Sequence, residues 1–529
     1  MQPVLMTQGL NVFSKETGNR LVENVDLTLE RGRTLCIVGE SGSGKTLTAM
    51  SVAGLLPGSV EAQGSIWLDG QELSAEPGIR QRTLRTGAIG IVFQNPSTAL
   101  NPRMTIGAQM LEALRPEMRR DSARAAQICH DLLVDIGVAN PMDKLIAYPH
   151  ELSGGIAQRI VIAMALARQP KVLIADEPTT ALDATIQAQI LDLIDALQEK
   201  HNFGVLLITH DMGVVRDRAD DVLVMAAGRV VERGAAEALF RGAKSAVARK
   251  LLRASELIFS EASPSPASAA PLLAVRDVSK VFAGGVHALR GISFIVGAGQ
   301  SVGIVGESGS GKTTIARIIA GLQTVSSGAV QLEGRDRGPR ERSPFVQYVF
   351  QDPYSSLDPR MPIVDIVAEP LRALGQPKVE ARERAEALLE EVGLDPASWK
   401  RTPISLSGGQ RQRVGIARAV APDPRLLISD EPVAALDITV RDHILELLQA
   451  MQARRAMAHL LISHDLVTVA RLCTEVIVMR GGQIVEHGAV RDIFERPQHP
   501  YTQQLLLAIP GRRHRQDGIG LDAISTMSQ

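Results

Sequence analysis

With 529 residues, the chain exceeds the roughly 250 to 300 residues at which a single hydrophobic core stops growing, and this length predicts two domains. Its 57 basic residues nearly balance 58 acidic residues, which argues against a general nucleic-acid or anionic-lipid binder. The three cysteines lie far apart and form no C-x-x-C pair, which argues against a disulfide framework, a zinc ribbon or an iron-sulfur cluster.

No segment approaches the roughly 18 consecutive apolar residues that are needed to span a bilayer. The opening stretch, MQPVLMTQGL, lacks the basic start and the apolar run of a signal peptide. We therefore expect the chain to stay in the cytoplasm and to reach the membrane only through partner proteins.

Short apolar segments recur in the same order in both halves of the chain. They read TLCIVG, KVLIADE and GVLLITHD in the first half, and SVGIVG, RLLISDE and HLLISHD in the second. Near-continuous hydrophobicity predicts strands that are buried on both faces, hence a parallel sheet covered by helices. The polar residues that follow these strands would share the carboxyl edge of the sheet, where such folds place their chemistry.

The motifs of the first half return in the second half, which indicates an internal duplication. The difference in residue number between matched positions, the offset, falls slightly after the first matched glycine and then stays constant up to the matched histidine. The matched pairs are Gly39 and Gly306 at an offset of 267, Gln94 and Gln351 at 257, and Ser153 and Ser407, Asp176 and Asp430, and His210 and His464 at 254.

A Ser/Ala/Pro-rich stretch, SEASPSPASAAP, separates the two halves. It has no apolar periodicity and cannot bury enough surface to offset its ordering entropy, so it is read as a linker. We expect a first domain at residues 1–255, the linker at 256–272, a second domain at 273–490, and a C-terminal segment with a tail at 491–529.

Each half contains the sequence GESGSGKT, which matches the phosphate loop G-x-x-x-x-G-K-[ST]. Such a loop turns backbone N–H groups around phosphate oxygens, and the following helix presents its positive end. The lysines would contact the β- and γ-phosphates, and the threonines would bind Mg²⁺. The first loop consists of Gly39, Glu40, Ser41, Gly42, Ser43, Gly44, Lys45 and Thr46, and the second of Gly306, Glu307, Ser308, Gly309, Ser310, Gly311, Lys312 and Thr313.

Two carboxylates follow a buried strand in the segments VLIADEP and LLISDEP. Asp176 and Asp430 would bind Mg²⁺, whereas Glu177 and Glu431 would polarise the attacking water as bases. An acidic pair alone is more often a solvated turn, but a phosphate loop in the same half favours the catalytic interpretation.

The phosphate loop, a glutamine, and the LSGG, DEP and ALD segments with a strand-end histidine resemble, in this order, the nucleotide-binding domain of ABC transporters. The resemblance covers both halves. It implies an α/β fold of two tandem P-loop NTPase domains, each a mainly parallel sheet with helices plus a helical signature subdomain. It also implies that two ATP molecules lie between the halves, each between one phosphate loop and the opposite signature.

This resemblance also implies individual roles. The catalytic residues would be Glu177, Glu431, His210, His464, Gln94 and Gln351. The residues that bind Mg²⁺ would be Thr46, Gln94, Asp176, Thr313, Gln351 and Asp430. The signature residues that contact ATP would be Ser153, Gly154, Gly155, Ser407, Gly408, Gly409 and Gln410. Communication between the sites would use Asp183 and Asp437, and the rings that stack on adenine would be Phe13 and Phe282, although a lone Phe is about as often a core residue.

The segment RPQHPYTQQLLLAIP at residues 496–510 predicts a short helix that starts at a proline and ends before another. It resembles the C-terminal segment of ATPases in oligopeptide and dipeptide importers, a subfamily that includes nickel and glutathione systems. This implies an ATPase at the cytoplasmic face of the membrane with two permease subunits and an extracytoplasmic solute-binding protein as partners. The first half has RGAKSAVARKLL instead and lacks the His-Pro-Tyr element.

Other classes of tandem ABC ATPase remain as alternatives. Translation factors carry a long charged helical insert between their halves, whereas this linker is short and rich in Pro and Ser. DNA-repair ATPases carry zinc modules for which this chain has too few cysteines. Both classes are therefore disfavoured, as is any role with nucleic acid. An importer of nickel, opines or other small solutes remains the nearer alternative.

The two signature segments differ directly after their glycines. ELSGGIAQRI has Ile156 and Ala157 where SLSGGQRQRV has Gln410 and Arg411. A serine hydroxyl and glycine N–H groups at a helix start form an anion site, and both segments keep these groups. In the pairing that the family resemblance implies, the altered first signature faces the second phosphate loop with Lys312. The sequence therefore predicts two competent ATP sites, of which this second site is the weaker.

Overall fold

The fold is described from a computed structural model with side chains. It describes residues 3–73, 87–180, 182–255, 259, 271–338, 341, 343–433, 436 and 438–511. The chain divides into two compact units, Met1–Ser255 with Ala508–Gln529 and Glu256–Leu507. Asp437 and nearly all of the predicted linker lie outside the described residues.

The first unit begins with strands and then alternates strands with helices. Its strands are β1 (Pro3–Ser14), β2 (Arg20–Glu30), β3 (Thr34–Gly39), β4 (Val60–Leu68), β5 (Gln71–Glu72), β6 (Ile89–Val92), β7 (Val172–Asp176), β8 (Gly204–Ile208), β9 (Asp221–Ala226) and β10 (Arg229–Ala235). Its helices are α1 (Lys45–Ala53), α2 (Pro96–Ala99), α3 (Ile106–Ala113), α4 (Ser122–Asp135), α5 (Pro141–Ile146), α6 (Gly154–Leu166), α7 (Ala184–His201), α8 (Met212–Arg218), α9 (Ala236–Gly242) and α10 (Ala246–Ala254).

A six-stranded sheet forms the centre of the first unit, in the order β10-β9-β3-β8-β7-β6. All neighbours are parallel except the edge pair β9 and β10. Every residue of β3 and β8 is buried, as the continuous apolar runs predicted. The carboxyl ends of β3, β7 and β8 therefore place the phosphate loop, the DEP segment and His210 at one edge.

A second, antiparallel sheet in the order β2-β1-β4-β5 packs against this core. Buried and exposed residues alternate along much of β2, because one face of this sheet contacts the core and the other faces solvent. The shared core includes Leu10, Val25, Ile37 and Ile208, and helix α1 contributes Val52. The apolar runs described above did not predict this sheet.

Helices α3 to α6 pack on one another and form the helical part of the first unit. Arg159 of α6 connects this group, since its guanidinium donates to the carbonyl of Ile136 at 2.7 Å and to Gln189 at 3.2 Å. The second hydrogen bond reaches α7, and it thereby links the signature helix to the helix that follows the ALD turn.

The second unit repeats this succession of elements. Its strands are β11 (Leu273–Val281), β12 (His287–Val296), β13 (Ser301–Val305), β14 (Ser327–Leu332), β15 (Arg335–Asp336), β16 (Val346–Val349), β17 (Leu426–Asp430), β18 (Ala458–Ile462), β19 (Glu475–Arg480) and β20 (Gln483–Ala489). Its helices are α11 (Lys312–Ile319), α12 (Pro353–Ser356), α13 (Ile363–Ala373), α14 (Lys378–Glu391), α15 (Gly408–Val420), α16 (Ile438–Arg455), α17 (Leu466–Leu472), α18 (Val490–Glu495) and α19 (Pro500–Leu507).

The sheets of the second unit have the orders β16-β17-β18-β13-β19-β20 and β12-β11-β14-β15, which match those of the first unit strand by strand. The predicted fold class is confirmed in both halves. Within the described part of the chain, no helix is long and apolar enough to cross a membrane.

Candidate active sites

The first phosphate loop connects β3 to α1. Gly44, directly before the helix, has a φ of 97°, a left-handed conformation that side chains with a Cβ atom rarely adopt. Lys45 is buried, and its ammonium donates to the carbonyl oxygens of Gly39 at 2.8 Å and Glu40 at 2.9 Å. The lysine thus lies inside the loop that would surround the phosphates.

The second phosphate loop has the same geometry. Gly311 has a φ of 101°, and the ammonium of Lys312 donates to the carbonyl oxygens of Gly306 and Glu307, both at 2.8 Å. Ser310 accepts from the same ammonium at 3.4 Å. In the first loop the matching hydroxyl, that of Ser43, is buried without a hydrogen-bond partner among the described residues. A buried polar atom without a partner is costly, and a phosphate oxygen would satisfy it.

A hydroxyl and a carboxylate face each other beside each loop. Thr46 Oγ1 donates to Asp176 Oδ1 at 3.4 Å, and Thr313 Oγ1 donates to Asp430 Oδ1 at 3.2 Å. Burial, with the charge of the adjacent glutamate, raises the pKa of each aspartate above its usual value. Oxygen pairs of this kind suit Mg²⁺, which takes few protein ligands and completes its shell with phosphate oxygens and water.

Larger metal-ligand clusters are absent: among the described residues, no group of three or more His, Cys, Asp or Glu side chains has the geometry to hold a metal ion. One hydroxyl and one carboxylate would leave most positions of a Mg²⁺ shell to nucleotide phosphates and water.

Glu177 lies at the centre of the first site. Its Oε1 contacts His210 Nδ1 at 3.0 Å, and its Oε2 accepts from Gln94 Nε2 at 2.8 Å and Thr180 Oγ1 at 3.0 Å. Burial alone would raise the pKa of Glu177, but the hydrogen bond and charge of His210, with smaller contributions from Thr180 and Lys45, hold it below the usual value. This carboxylate is therefore ionised at neutral pH.

The second site repeats this arrangement around Glu431. His464 Nδ1 lies 3.0 Å from Oε1, and Gln351 Nε2 donates to Oε2 at 2.7 Å. Burial opposes ionisation here too, yet His464, Lys312 and Gln351 lower the pKa of the carboxylate. Both glutamates also have a positive φ, 46° and 48°, which is strained for residues other than glycine.

Each signature serine caps the start of a helix, Ser153 that of α6 and Ser407 that of α15. Ser153 Oγ accepts from Ile156 N at 3.5 Å, and Ser407 Oγ accepts from Gln410 N at 3.3 Å. In the second signature Gln410 Oε1 also accepts from Ser407 N at 3.0 Å, which completes a capping box. The side chain of Ile156 has no hydrogen-bond acceptor for the backbone N–H of Ser153. Helix α6 therefore starts with one capping hydrogen bond fewer than α15.

Arg411 also differs from its counterpart Ala157 in what it contacts. Its Nε and Nη2 donate to the carbonyl oxygen of Leu406 at 3.0 and 2.7 Å, and its guanidinium lies 5.3 Å from the ring centroid of Tyr354. Tyr354 belongs to α12, three residues after Gln351. The cation therefore joins the second signature to the segment after the glutamine, whereas Ala157 is a buried apolar residue.

The remaining predicted residues are placed as follows. Asp183 caps α7 by accepting from Ile186 N at 3.0 Å. Phe13 lies within β1, a strand of the antiparallel sheet of the first unit, and Phe282 directly follows β11 of the matching sheet in the second unit. A cation covers each ring, Arg20 at 5.4 Å and Lys280 at 5.4 Å. Their stacking on adenine stays a prediction.

Comparison with protein families identifies the chain. A model described as "ABC transporter" matches residues 22–180 and 289–434, more than half of the sequence. The chain belongs to the ABC transporter family. A second model, "Oligopeptide/dipeptide transporter, C-terminal region", matches residues 485–527 of this ABC protein.

Curated relatives align with nearly the whole ABC protein. "Peptidoglycan transport ATP-binding protein YejF" of Agrobacterium fabrum is 43% identical over 96% of this chain and 96% of its own. "Glutathione import ATP-binding protein GsiA" of Salmonella choleraesuis is 41% identical over 97% of this chain and 91% of its own. The solved structure of cbiO1 from Clostridium perfringens, part of the ABC transporter complex cbiONQ, covers 43% of this chain and 91% of its own, with 28% identity and a TM-score of 0.39.

The two units, called the first and second cassette from here on, differ in a contact beside the aspartates that end β7 and β17. Tyr348 of β16 is buried, and its hydroxyl donates to Asp430 Oδ2 at 2.6 Å. Ile91 stands at the matching position of the first cassette, so Asp176 has no such donor there. Tyr348 was not predicted as a site residue, because a tyrosine in an apolar strand is ordinarily a core residue. The matching aspartates therefore differ in their hydrogen bonds: Asp430 accepts from a tyrosine hydroxyl, whereas Asp176 has an isoleucine at that position.

Proposed function

We propose that this ABC ATPase hydrolyses Mg²⁺-ATP in both cassettes and thereby drives the uptake of peptides or peptide-like solutes through separate permease subunits. The observation that carries the proposal is the completeness of both cassettes. Each has a phosphate loop with a buried lysine, a hydroxyl–carboxylate pair, and a glutamate bonded to a histidine and a glutamine.

In this account, Lys45 and Lys312 exchange their contacts with loop carbonyls for contacts with phosphate oxygens. Thr46 with Asp176, and Thr313 with Asp430, would hold Mg²⁺, and this ion would supply positive charge against the phosphates. Gln94 and Gln351 lie within reach of the same sites.

Glu177 and Glu431 accept a proton from the attacking water as general bases, a role that requires the ionised carboxylate. The histidines fix the orientation of these carboxylates through Oε1. Oε2 accepts from the glutamine in both sites and also from Thr180 in the first, and it would take the proton from water once the glutamine has moved. Contact of each site with the opposite signature is carried over from the family resemblance and stays a prediction.

Import of peptides is supported by the match to the oligopeptide/dipeptide transporter C-terminal region and by the relatives named for peptidoglycan transport and glutathione import. We place the chain at the cytoplasmic face of the cell membrane, bound to two permease subunits that receive solute from an extracytoplasmic binding protein. The division into domains at 1–255 and 273–490, with a C-terminal segment from 491, belongs to this proposal.

Uptake of labelled short peptides tests the substrate class. A strain that lacks this chain should lose uptake of at least one peptide, and the wild-type chain should restore it. The Glu177→Gln/Glu431→Gln variant should not restore uptake, whereas Glu237→Gln should, because Glu237 is exposed and pairs with Arg241 on its own helix. If uptake of every peptide tested is unchanged by the deletion, the transported solute is not a peptide.

A further inference from the structure

The His-Pro-Tyr element lies at the start of α19 and is anchored to β20. Glu486 of that strand accepts from the backbone N–H groups of Gln498 at 2.8 Å and His499 at 3.1 Å. His499 Nδ1 then accepts from the backbone N–H of Tyr501 at 3.1 Å, and Pro500 occupies the first position of the helix. The three residues thus fix where the helix begins and where the tyrosine points.

Tyr501 contacts the second phosphate loop directly. The side chain is buried, and its hydroxyl oxygen accepts from the backbone N–H of Glu307 at 2.8 Å. Arg480 lies over the same ring at 4.9 Å, and its Nε is 4.0 Å from Glu307 Oε1. Glu307 is therefore held at its backbone by Tyr501 and approached at its side chain by Arg480.

This contact continues into the phosphate-binding lysine. The carbonyl oxygen of Glu307 accepts from Lys312 Nζ at 2.8 Å. The backbone of this one loop residue therefore donates to Tyr501 and accepts from Lys312. Glu307 is the second residue of the phosphate loop. Holding its backbone in place also positions the backbone N–H groups that follow it and would surround the phosphates.

In the first cassette the same helix is anchored, but the loop is contacted differently. Glu232 accepts from Lys244 N at 2.9 Å and Ser245 N at 2.7 Å, as Glu486 does in the second cassette. Val247 takes the position of Tyr501, and α10 reaches the first loop through an exposed ion pair, Lys250 with Glu40 at 2.8 Å. The helix anchor therefore forms without His-Pro-Tyr, and what the element adds is the buried contact with the loop.

We propose that Tyr501 is a positioning residue for the second phosphate loop and makes nucleotide affinity at that loop depend on the C-terminal segment. The inference rests on the proposed function, since it requires that the second loop binds nucleotide. It predicts that the first loop, with a surface ion pair instead, is much less dependent on its own C-terminal helix, because exposed pairs contribute little.

The test uses Tyr501→Phe in the full chain, with Lys45→Ala added so that nucleotide binds at the second loop alone. Loss of one hydrogen bond should raise the Kd of a fluorescent ATP analogue roughly 2- to 10-fold. Amide exchange at Glu307 in the nucleotide-free chain should become faster. Gln504→Ala, on the exposed face of the same helix, is the matched control and should change neither quantity.

The possible results separate the two claims. If Tyr501→Phe leaves both the Kd and the exchange at Glu307 unchanged, the inference is wrong. Faster exchange with an unchanged Kd also overturns it, because the contact would then stabilise the segment without positioning the nucleotide. If the Lys45→Ala chain with Tyr501 intact binds no analogue, the proposed function of the second cassette fails instead. A melting curve of the variant confirms that the cassette is folded.

Discussion

Replacing both Glu177 and Glu431 by glutamine is expected to lower ATP turnover of the full chain by about 100-fold or more, the typical contribution of a general base. Glutamine keeps the size of the side chain but is neutral and a poor base. The side chains around each glutamate, His210 with Gln94 and His464 with Gln351, can still hydrogen-bond to it. The loss should therefore appear in kcat with little change in nucleotide affinity.

Comparing the two single substitutions distinguishes a chain with two working ATP sites from a chain with one. If both sites hydrolyse ATP, Glu177→Gln and Glu431→Gln should each lower turnover measurably, and we expect the smaller loss from Glu431→Gln because the second site is predicted to be the weaker. Steady-state phosphate release by the three variants, with Glu237→Gln as the control, is the measurement. Unchanged turnover in Glu431→Gln together with complete loss in Glu177→Gln would mean that the second site is silent.

Acidification is expected to destabilise the second cassette through His459. This residue is fully buried in β18, its Nε2 lies 2.9 Å from Ser429 Oγ, and burial lowers its pKa to about 4. An unfolded histidine has a pKa near 6.5, so between these values the unfolded chain binds a proton that the folded chain does not. As the pH falls from 6.5 towards 4, the free energy of unfolding is therefore expected to fall by about 3 kcal/mol.

The first cassette supplies the matched control for this prediction. Val205 and Ala175 stand where the second cassette has His459 and Ser429. Replacing the hydrogen-bonded pair together, His459→Val with Ser429→Ala, should preserve stability at pH 7 better than Ser429→Ala alone, which leaves the imidazole without its partner. Calorimetric unfolding of the full chain at pH 7 and pH 4.5 measures both effects. An equal acid-induced loss in the wild type and the double variant would contradict the assignment to His459.

Much of the site was predictable because its residues are local in sequence. The parallel strands, both phosphate loops and the acidic pairs are each contained in fewer than about ten residues, and the continuous apolar runs place them at one edge of a sheet. The antiparallel sheet was missed because its strands alternate between buried and exposed positions and pair across long sequence separations, such as Leu5 with Leu68.

The roles of Tyr348 and Tyr501 were not predicted, for a related reason. Each acts through its hydroxyl on a residue far along the chain, Asp430 and Glu307 respectively, and nothing local distinguishes either from an ordinary buried tyrosine. A signal existed for Tyr348 in the comparison of the two halves, since a polar tyrosine replaces Ile91 within an apolar strand. For Tyr501 the signal was the loss of His-Pro-Tyr from the first half.

The central claim is that each cassette holds its own nucleotide, and the number of ATP molecules bound per chain tests it most directly. Equilibrium dialysis with labelled Mg²⁺-ATP should give two per chain for the Glu177→Gln/Glu431→Gln variant, which does not consume the ligand. Adding either Lys45→Ala or Lys312→Ala should lower this number to one. A value of one before any lysine is replaced would contradict the account of two nucleotide sites.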